Sequence, residues 1–303
     1  MKTRIILISS LLLGAIFTAC EKSDIPDRTF VADGAKVCFI NLAGDIVTTN
    51  TCEMNLYFND QRVTTQGSTA TNKLRGIPFR SSYPGAVVPS PGTTTYPSSY
   101  IGAEYFNATP GQTTIVGKDT AWFAGFTTLF TTNYTFEKDK YYSIYAMGLR
   151  SAISPVIVED QIVQFSTTGK TKVRVVNALY GVSTDSVDIW MIYQPISTEQ
   201  ARAPFKLASY LDSKSTTAYV DTLKSGNYKW AAVVAGTTLT ITPPANPLGN
   251  PYTITVPAGK TVIALSSSTA FSQKTTYSLL FYGQVGKTGF LTPVASLFRQ
   301  RLN

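Results

Sequence analysis

The chain contains no histidine. That removes Ser-His-Asp and Cys-His catalysis, the commonest general acid and base, and most zinc and copper sites. Cysteine is scarce, with three residues, and neither Cys38 nor Cys52 has the CxxC or cationic setting that lowers a thiol pKa. Charge is sparse as well, at 15% of residues. The net charge of +8 comes from basic residues scattered singly, with no run of five or more. Proteins that bind nucleic acid concentrate such charge in a patch, so nucleic acid is not an expected partner.

Phosphate loops are also missing. Gly-Lys-Thr occurs at 169–171, 259–261 and 286–288. A phosphate loop needs a further Gly five residues before the first of these, and those positions hold Gln164, Ile254 and Phe281. Asp185 and Asp188 form an Asp-x-x-Asp without the Gly-centred loop of a calcium site. No carboxylate pair stands out for glycoside hydrolysis. These absences lead us to expect no enzyme, no cofactor and no metal.

What is present begins with an export signal. Met1-Lys2-Thr3-Arg4 is basic, Ile5 to Leu13 is mostly apolar, and Gly14 to Ala19 ends in small residues before Cys20. The apolar part is too short to cross a hydrocarbon core of roughly 30 Å, so it reads as a cleaved signal over 1–19. Phe17-Thr18-Ala19-Cys20 resembles a bacterial lipobox, with Phe17 in place of the usual Leu. The resemblance implies that Cys20 carries the lipid and that the membrane is a partner through it. The stretch Glu21-Lys22-Ser23-Asp24-Ile25-Pro26-Asp27 reads as a polar tether, 20–34 in all. Its acidic character resembles the surface-export signal of Bacteroidota lipoproteins. The expected location is the outer membrane, facing the cell surface or the periplasm.

The rest is written twice. Lys36-Val37-Cys38-Phe39-Ile40-Asn41 returns as Lys172-Val173-Arg174-Val175-Val176-Asn177. Thr, Ser, Tyr, Val and Ile dominate between Gly, Pro and Asn turn signals, a composition suited to pleated, half-buried strands. The class is therefore all-β, with two tandem β-sandwich repeats over 35–150 and 172–285. Residues 151–171 read as a linker or edge strand, and 286–303 as a C-terminal tail. In the second repeat Val187, Ile189, Met191 and Tyr193 alternate with Asp188, Trp190, Ile192 and Gln194, and Trp230 reads as core. Hairpins are expected around Glu137–Lys140 and around Pro257–Lys260.

With Cys20 lipidated, Cys38 and Cys52 remain. In an exported protein they suggest a disulfide, worth ~3 kcal/mol for a loop of about fifteen residues, against two buried thiols. The first repeat also carries a long Pro- and Tyr-bearing loop from Gln66 to Pro97. Tyr83, Tyr96, Tyr100 and Tyr105 are candidate ligand-binding residues there, able to stack on sugars or partner side chains or else to pin the loop down.

The motif order is a strand ending in Asn-Ala, a Val-Asp-Ile-Trp strand, Tyr before Gly-Asn-Tyr, an Ala-Gly-Lys turn and a strand closed by Gly. It occupies Val173–Ala178, Val187–Tyr193, Tyr219–Val233 and Tyr252–Ala264, with counterparts at Val37–Ala43, Met54–Asn59 and Lys140–Gly148. This resembles the domain-of-unknown-function 4397 (DUF4397) family of exported bacterial lipoproteins. The resemblance implies an immunoglobulin-like or transthyretin-like sandwich and supplies no catalytic residues. Two functional expectations follow: a binding or scaffolding module for a glycan or a cell-envelope protein, or a fibre or adhesin subunit that uses its tail or an edge strand. The site is expected in the first repeat.

Overall fold

The repeated Lys-Val-x-x-x-Asn stretch is the hub strand of a sheet in both copies. The computed structural model describes residues 33–44, 52–64, 76–77, 79, 81–84, 105–119, 127–162, 168–181, 186–257, 262–265, 269–285 and 294–300. The first repeat contains β1 (Ala35–Gly44), β2 (Met54–Phe58), β3 (Gln61–Arg62), β4 (Ser81–Tyr83), β5 (Phe106–Ala108), β6 (Gly111–Asp119), β7 (Thr128–Phe136), β8 (Tyr141–Leu149) and β9 (Ala152–Asp160). The second contains β10 (Lys170–Tyr180), β11 (Ser186–Gln194), β12 (Phe205–Asp212), β13 (Ser215–Thr216), β14 (Val220–Lys224), β15 (Gly226–Val234), β16 (Thr240–Thr242), β17 (Thr253–Thr255), β18 (Val262–Leu265), β19 (Thr269–Phe271), β20 (Thr276–Gln284) and β21 (Val294–Gln300). The described chain is all-β, as expected.

Each repeat builds one inner and one outer sheet. The inner sheets run β4-β1-β8-β9 and β13-β10-β20-β21, with β5 and β14 also paired to the hub strands. The outer sheets run β3-β2-β6-β7 and β12-β11-β15-β18. In both repeats the hub is parallel to one neighbour: β1 to β8 across Lys36–Tyr141 and onward, β10 to β20 across Lys172–Thr276 and onward. Parallel neighbours cannot be joined by a tight hairpin. The chain makes the crossover through the outer sheet, which closes the sandwich.

Neither expected hairpin pairs its own two strands, and the first is a corner between sheets. β7 and β8 flank the Glu137–Lys140 turn but belong to different sheets. β17 pairs with β16 and β18 with β15, so the strands on either side of Pro257 do not pair with each other either. The counterpart of the Lys138 corner is instead at Ser272–Thr275. Both corners hold one residue at positive φ, Asp139 and Lys274. Both are latched by a tyrosine on the following strand: Glu137 N–H donates to the Tyr142 hydroxyl (3.1 Å) and Ser272 N–H to the Tyr277 hydroxyl (3.0 Å). This is the logic of a tyrosine corner, a hydroxyl tied back to backbone a few residues upstream.

Alternation along the inner strands explains their continuous apolar reading. Val37, Phe39 and Ala43 of β1 and Tyr142, Ile144 and Ala146 of β8 face the outer sheet, packing with Leu56, Ile115 and Phe136. Cys38, Ile40, Leu42, Tyr145 and Met147 face the other way. They meet Val176, Ala178, Leu280, Tyr282 and Phe298 of the second repeat in a shared core. The opposite face of that inner sheet, Val173, Val175, Tyr277, Leu279 and Phe281, packs on Ile189, Met191 and Trp230. Four sheets thus stack with three cores between them. Strands buried on both faces lose the polar alternation of a half-exposed strand. Asp33–Asn303 form one compact unit, so the repeats are not independent beads.

The hub asparagines do the same job twice. Asn41 is fully buried; its amide donates to the carbonyls of Cys52 (2.7 Å) and Ile77 (2.8 Å) and its oxygen accepts Ala43 N–H (3.1 Å). Asn177 donates to the carbonyls of Leu211 (3.0 Å) and Asp212 (3.0 Å) and accepts Leu179 N–H (3.2 Å). Each ties its hub strand to segments that leave the ladder, which satisfies backbone groups a sheet alone would orphan.

The segments read as linker and tail are also counterparts. β9 pairs antiparallel with β8 from Tyr141–Asp160 to Leu149–Ala152, and β21 pairs antiparallel with β20 from Thr276–Gln300 to Tyr282–Val294. Each is the edge strand of an inner sheet, so residues 294–300 of the expected tail are a structural strand.

Candidate functional site

Of the sequence candidates in the first repeat, the two that are described, Tyr83 and Tyr105, are buried. Tyr83 is buried, pairs with Phe39 across β4–β1, and packs its ring 5.6 Å from Phe106. Tyr105 is buried in the shared core; its hydroxyl donates to Asp160 (2.8 Å) and its ring meets Tyr141 edge-on at 5.1 Å. Both rings are engaged in packing. Burial pushes the Tyr105 phenol far above its ordinary range, and the Asp160 carboxylate adds to this. Tyr96, Tyr100, Asp185, Cys20 and the export signal lie outside the described residues. No bond joins Cys38 to Cys52, which corrects the expected bridge. Cys38 belongs to the shared core and Cys52 to the core against the outer sheet, so the sulfurs lie on opposite sides of β1. Side chains that point to opposite faces cannot meet the short Cβ separation of a disulfide.

A cleft does exist, in the second repeat, with a volume of about 390 Å³. That lies in the roughly 300–1,000 Å³ range of small-ligand sites. Tyr193 and Gln194 at the end of β11, Ser225, Gly226 and Asn227 at the start of β15, Phe271 of β19, Gln273 of the corner, and Ile196 and Glu199 of the loop after β11 line it. Its floor is aromatic: Tyr193 meets Tyr228 edge-on at 5.2 Å, and Tyr228 meets Phe271 edge-on at 5.7 Å. Gly226 has a positive φ, and a Cβ there would come within 2.8 Å of the Tyr193 ring, so the strand entry needs glycine.

The loop that carries Glu199 is fixed from below. Ala201 N–H donates to the Pro247 carbonyl (2.7 Å) and Gly249 N–H to the Glu199 carbonyl (2.9 Å). The Glu199 carboxylate then accepts the Tyr193 hydroxyl (2.5 Å), the Ile196 N–H (3.2 Å) and Lys224 Nζ (2.9 Å), while Lys224 also reaches the Tyr193 oxygen (3.0 Å). Arg202 sits 5.2 Å from the centre of the Tyr193 ring. The Tyr193 hydroxyl, then Lys224 and the Ile196 N–H, hold the Glu199 carboxyl down at about 2. A depressed carboxyl contributes stability above its ordinary value, lost as pH falls through the folded value. A carboxyl-carbon NMR titration of Glu199 should have its midpoint near 2 and climb back toward 4.5 in Lys224→Met; an unchanged midpoint would show that the ion pair does not set it.

Asp188, paired in sequence with Asp185, is a structural anchor. It is fully buried and takes Lys206 Nζ (2.8 Å) and the N–H groups of Tyr210 (3.0 Å) and Gly236 (3.1 Å). Burial pushes its carboxyl up, but these three donors outweigh it and hold it below the ordinary range. Trp190 lies on the outward face of β11 beneath Lys206, whose ammonium is 5.4 Å from the ring centre. Among the described residues no cluster of three or more His, Cys, Asp or Glu is placed to hold a metal.

In sequence, Gly226-Asn227 stood out only as part of the Gly-Asn-Tyr motif and Tyr193 only as a strand position. Glu199, Arg202 and Gln273 carried no signal. They converge because β11, β15 and β19 are neighbours in the outer sheet, a fact of topology and not of spacing.

No protein-family model matches the chain. No curated protein matches it. Among solved structures it is similar to one described as alpha-glucan binding by a streptococcal virulence factor, at 8% identity, over 88% of this chain and 97% of that one, with a TM-score of 0.21. A likeness at that score carries no argument about ligand or fold.

Proposed function

We propose that the protein is a non-catalytic binding module of the bacterial envelope, held to the outer membrane by a lipid on Cys20, and that the cleft of the second repeat receives a saccharide. The observation that carries this reading is the lining: an aromatic floor from Tyr193 and Phe271 under a rim of Gln194, Ser225, Asn227 and Gln273. Sugar rings present apolar C–H faces and dense hydroxyls, which match ring edges and amides that both donate and accept. The single carboxylate in the lining, Glu199, already has both oxygens engaged, which suits a positioning group. The fibre reading is weaker, since donating the tail to a neighbour would strip β21 from its own sheet.

The test is calorimetric binding of an oligosaccharide panel to the full chain. Asn227→Ala and Gln273→Ala are expected to lower affinity about tenfold each, the scale of one or two lost hydrogen bonds in a desolvated cleft. Binding of every saccharide that is indifferent to both substitutions would reject the cleft as the site.

A further inference from the structure

Beside the cleft, over a ring that lines it, sits a charge that no carboxylate among the described residues answers. Lys224 is matched to Glu199 by an ion pair of 2.9 Å. Arg202 is exposed, and among the described residues no carboxylate pairs with it; its contact is the face of Tyr193. A guanidinium stacked on a ring spends its flat face on the ring and keeps its in-plane N–H groups outward. Those groups form a fork that fits the two oxygens of a carboxylate. Arg202 lies outside the cleft lining, over the ring of Tyr193 that belongs to it, on a protein whose net charge is +8. Arg202 is near enough for its charge to act on Lys224 and on Tyr228 under the floor.

The geometry points to a carboxylated saccharide, a hexuronate-bearing glycan, as the ligand of the cleft, with Arg202 on Tyr193 as the carboxylate clamp. This rests on the saccharide reading above and narrows it. The uronic acid sits in the cleft against the buried rings of Tyr193 and Phe271 without stacking on them, its hydroxyls meet Asn227, Gln273 and Ser225, and its carboxylate reaches out to the Arg202 fork. Glu199 does not oppose this. Its oxygens are covered by the Tyr193 hydroxyl, the Ile196 N–H and Lys224, so its charge is answered within the cluster. Arg202 sets specificity and Lys224 holds the cleft wall.

The experiment compares a galacturonic acid trimer, its methyl ester and a sulfated trisaccharide on the full chain, with Arg202→Gln as the variant. Arg202 is solvent-exposed, so the substitution leaves the fold in place. The acid trimer is expected to bind about tenfold tighter than the ester, the worth of one charge-assisted contact, and this advantage should shrink with added salt. In Arg202→Gln the acid and the ester should bind alike. Equal binding of acid and ester to the natural chain overturns the inference and leaves the saccharide reading standing. Selectivity that survives in Arg202→Gln overturns the clamp. Sulfated sugar bound as tightly as the acid overturns carboxylate recognition in favour of unspecific charge attraction. No binding of any saccharide overturns both the inference and the reading beneath it.

Discussion

Asp160→Ala is expected to destabilise the protein by about 3–5 kcal/mol, the largest effect of any single surface-neutral substitution, because it leaves a buried guanidinium alone. Asp160 and Arg174 form an ion pair with side chains 0% and 2% exposed, at the seam between the repeats. Arg174 Nη2 also donates to the Tyr145 hydroxyl (2.8 Å), Nε to Ser278 Oγ (2.8 Å) and Nη1 to the Glu159 carbonyl (3.3 Å). The other Asp160 oxygen accepts Ser143 (2.6 Å) and Tyr105 (2.8 Å). The face of the guanidinium lies 5.0 Å from the Tyr219 ring centre. Burial alone would lower the Arg174 pKa, but Asp160 and then the tyrosine hydroxyls reverse this and raise it, so the charge stays and must be matched.

Urea denaturation of Asp160→Ala measures the cost. The companion Asp160→Leu/Arg174→Met should recover most of it, because an apolar pair of similar volume needs no desolvation of ions. A loss below about 1 kcal/mol in Asp160→Ala would mean that water reaches Arg174 and that the seam is not closed. A double variant as weak as the single would mean that the hydroxyl groups, not the charges, hold the seam.

The seam shows where sequence reading stopped. The position that differs between the copies, Cys38 against Arg174, was visible as an asymmetry. Its meaning needed the partner Asp160, which sits on a segment read as linker or edge strand and is brought beside Arg174 only by the pairing of β9 with β8. The all-β class and the core role of Trp230 were legible, because β-branched runs, turn residues and a period of two are local properties. The Lys138 corner was misread as a hairpin for the same reason. A charged turn between two strands looks alike in sequence whether the strands pair or part to different sheets. The cleft was missed because its lining is gathered from three strands and the segments beside them, and Tyr83 and Tyr105 drew the reading to residues that packing consumes.

Asn41→Asp and Asn177→Asp are each expected to cost about 3 kcal/mol or more at neutral pH, although the new side chain has the same shape. The amide nitrogen of each asparagine faces two backbone carbonyls, Cys52 and Ile77 in one copy, Leu211 and Asp212 in the other. A carboxylate oxygen in that place orphans both carbonyls and sets a buried negative charge against them, each orphaned group costing about 1–3 kcal/mol. Burial beside two carbonyls, with a single backbone N–H donating to the group, raises the carboxyl pKa, so the deficit is small at pH below the unfolded carboxyl value near 4 and grows as pH rises through the folded value. Equilibrium unfolding at two pH values checks this, and a pH-independent deficit would show that the carboxylate finds donors. The two variants also test the seam. Because the inner sheets share a core through Ile40, Tyr145, Val176 and Leu280, both substitutions should shift one common transition. Two separate transitions, each moved by only one of the variants, would mean that the repeats unfold independently and that the Arg174–Asp160 seam joins them without coupling them.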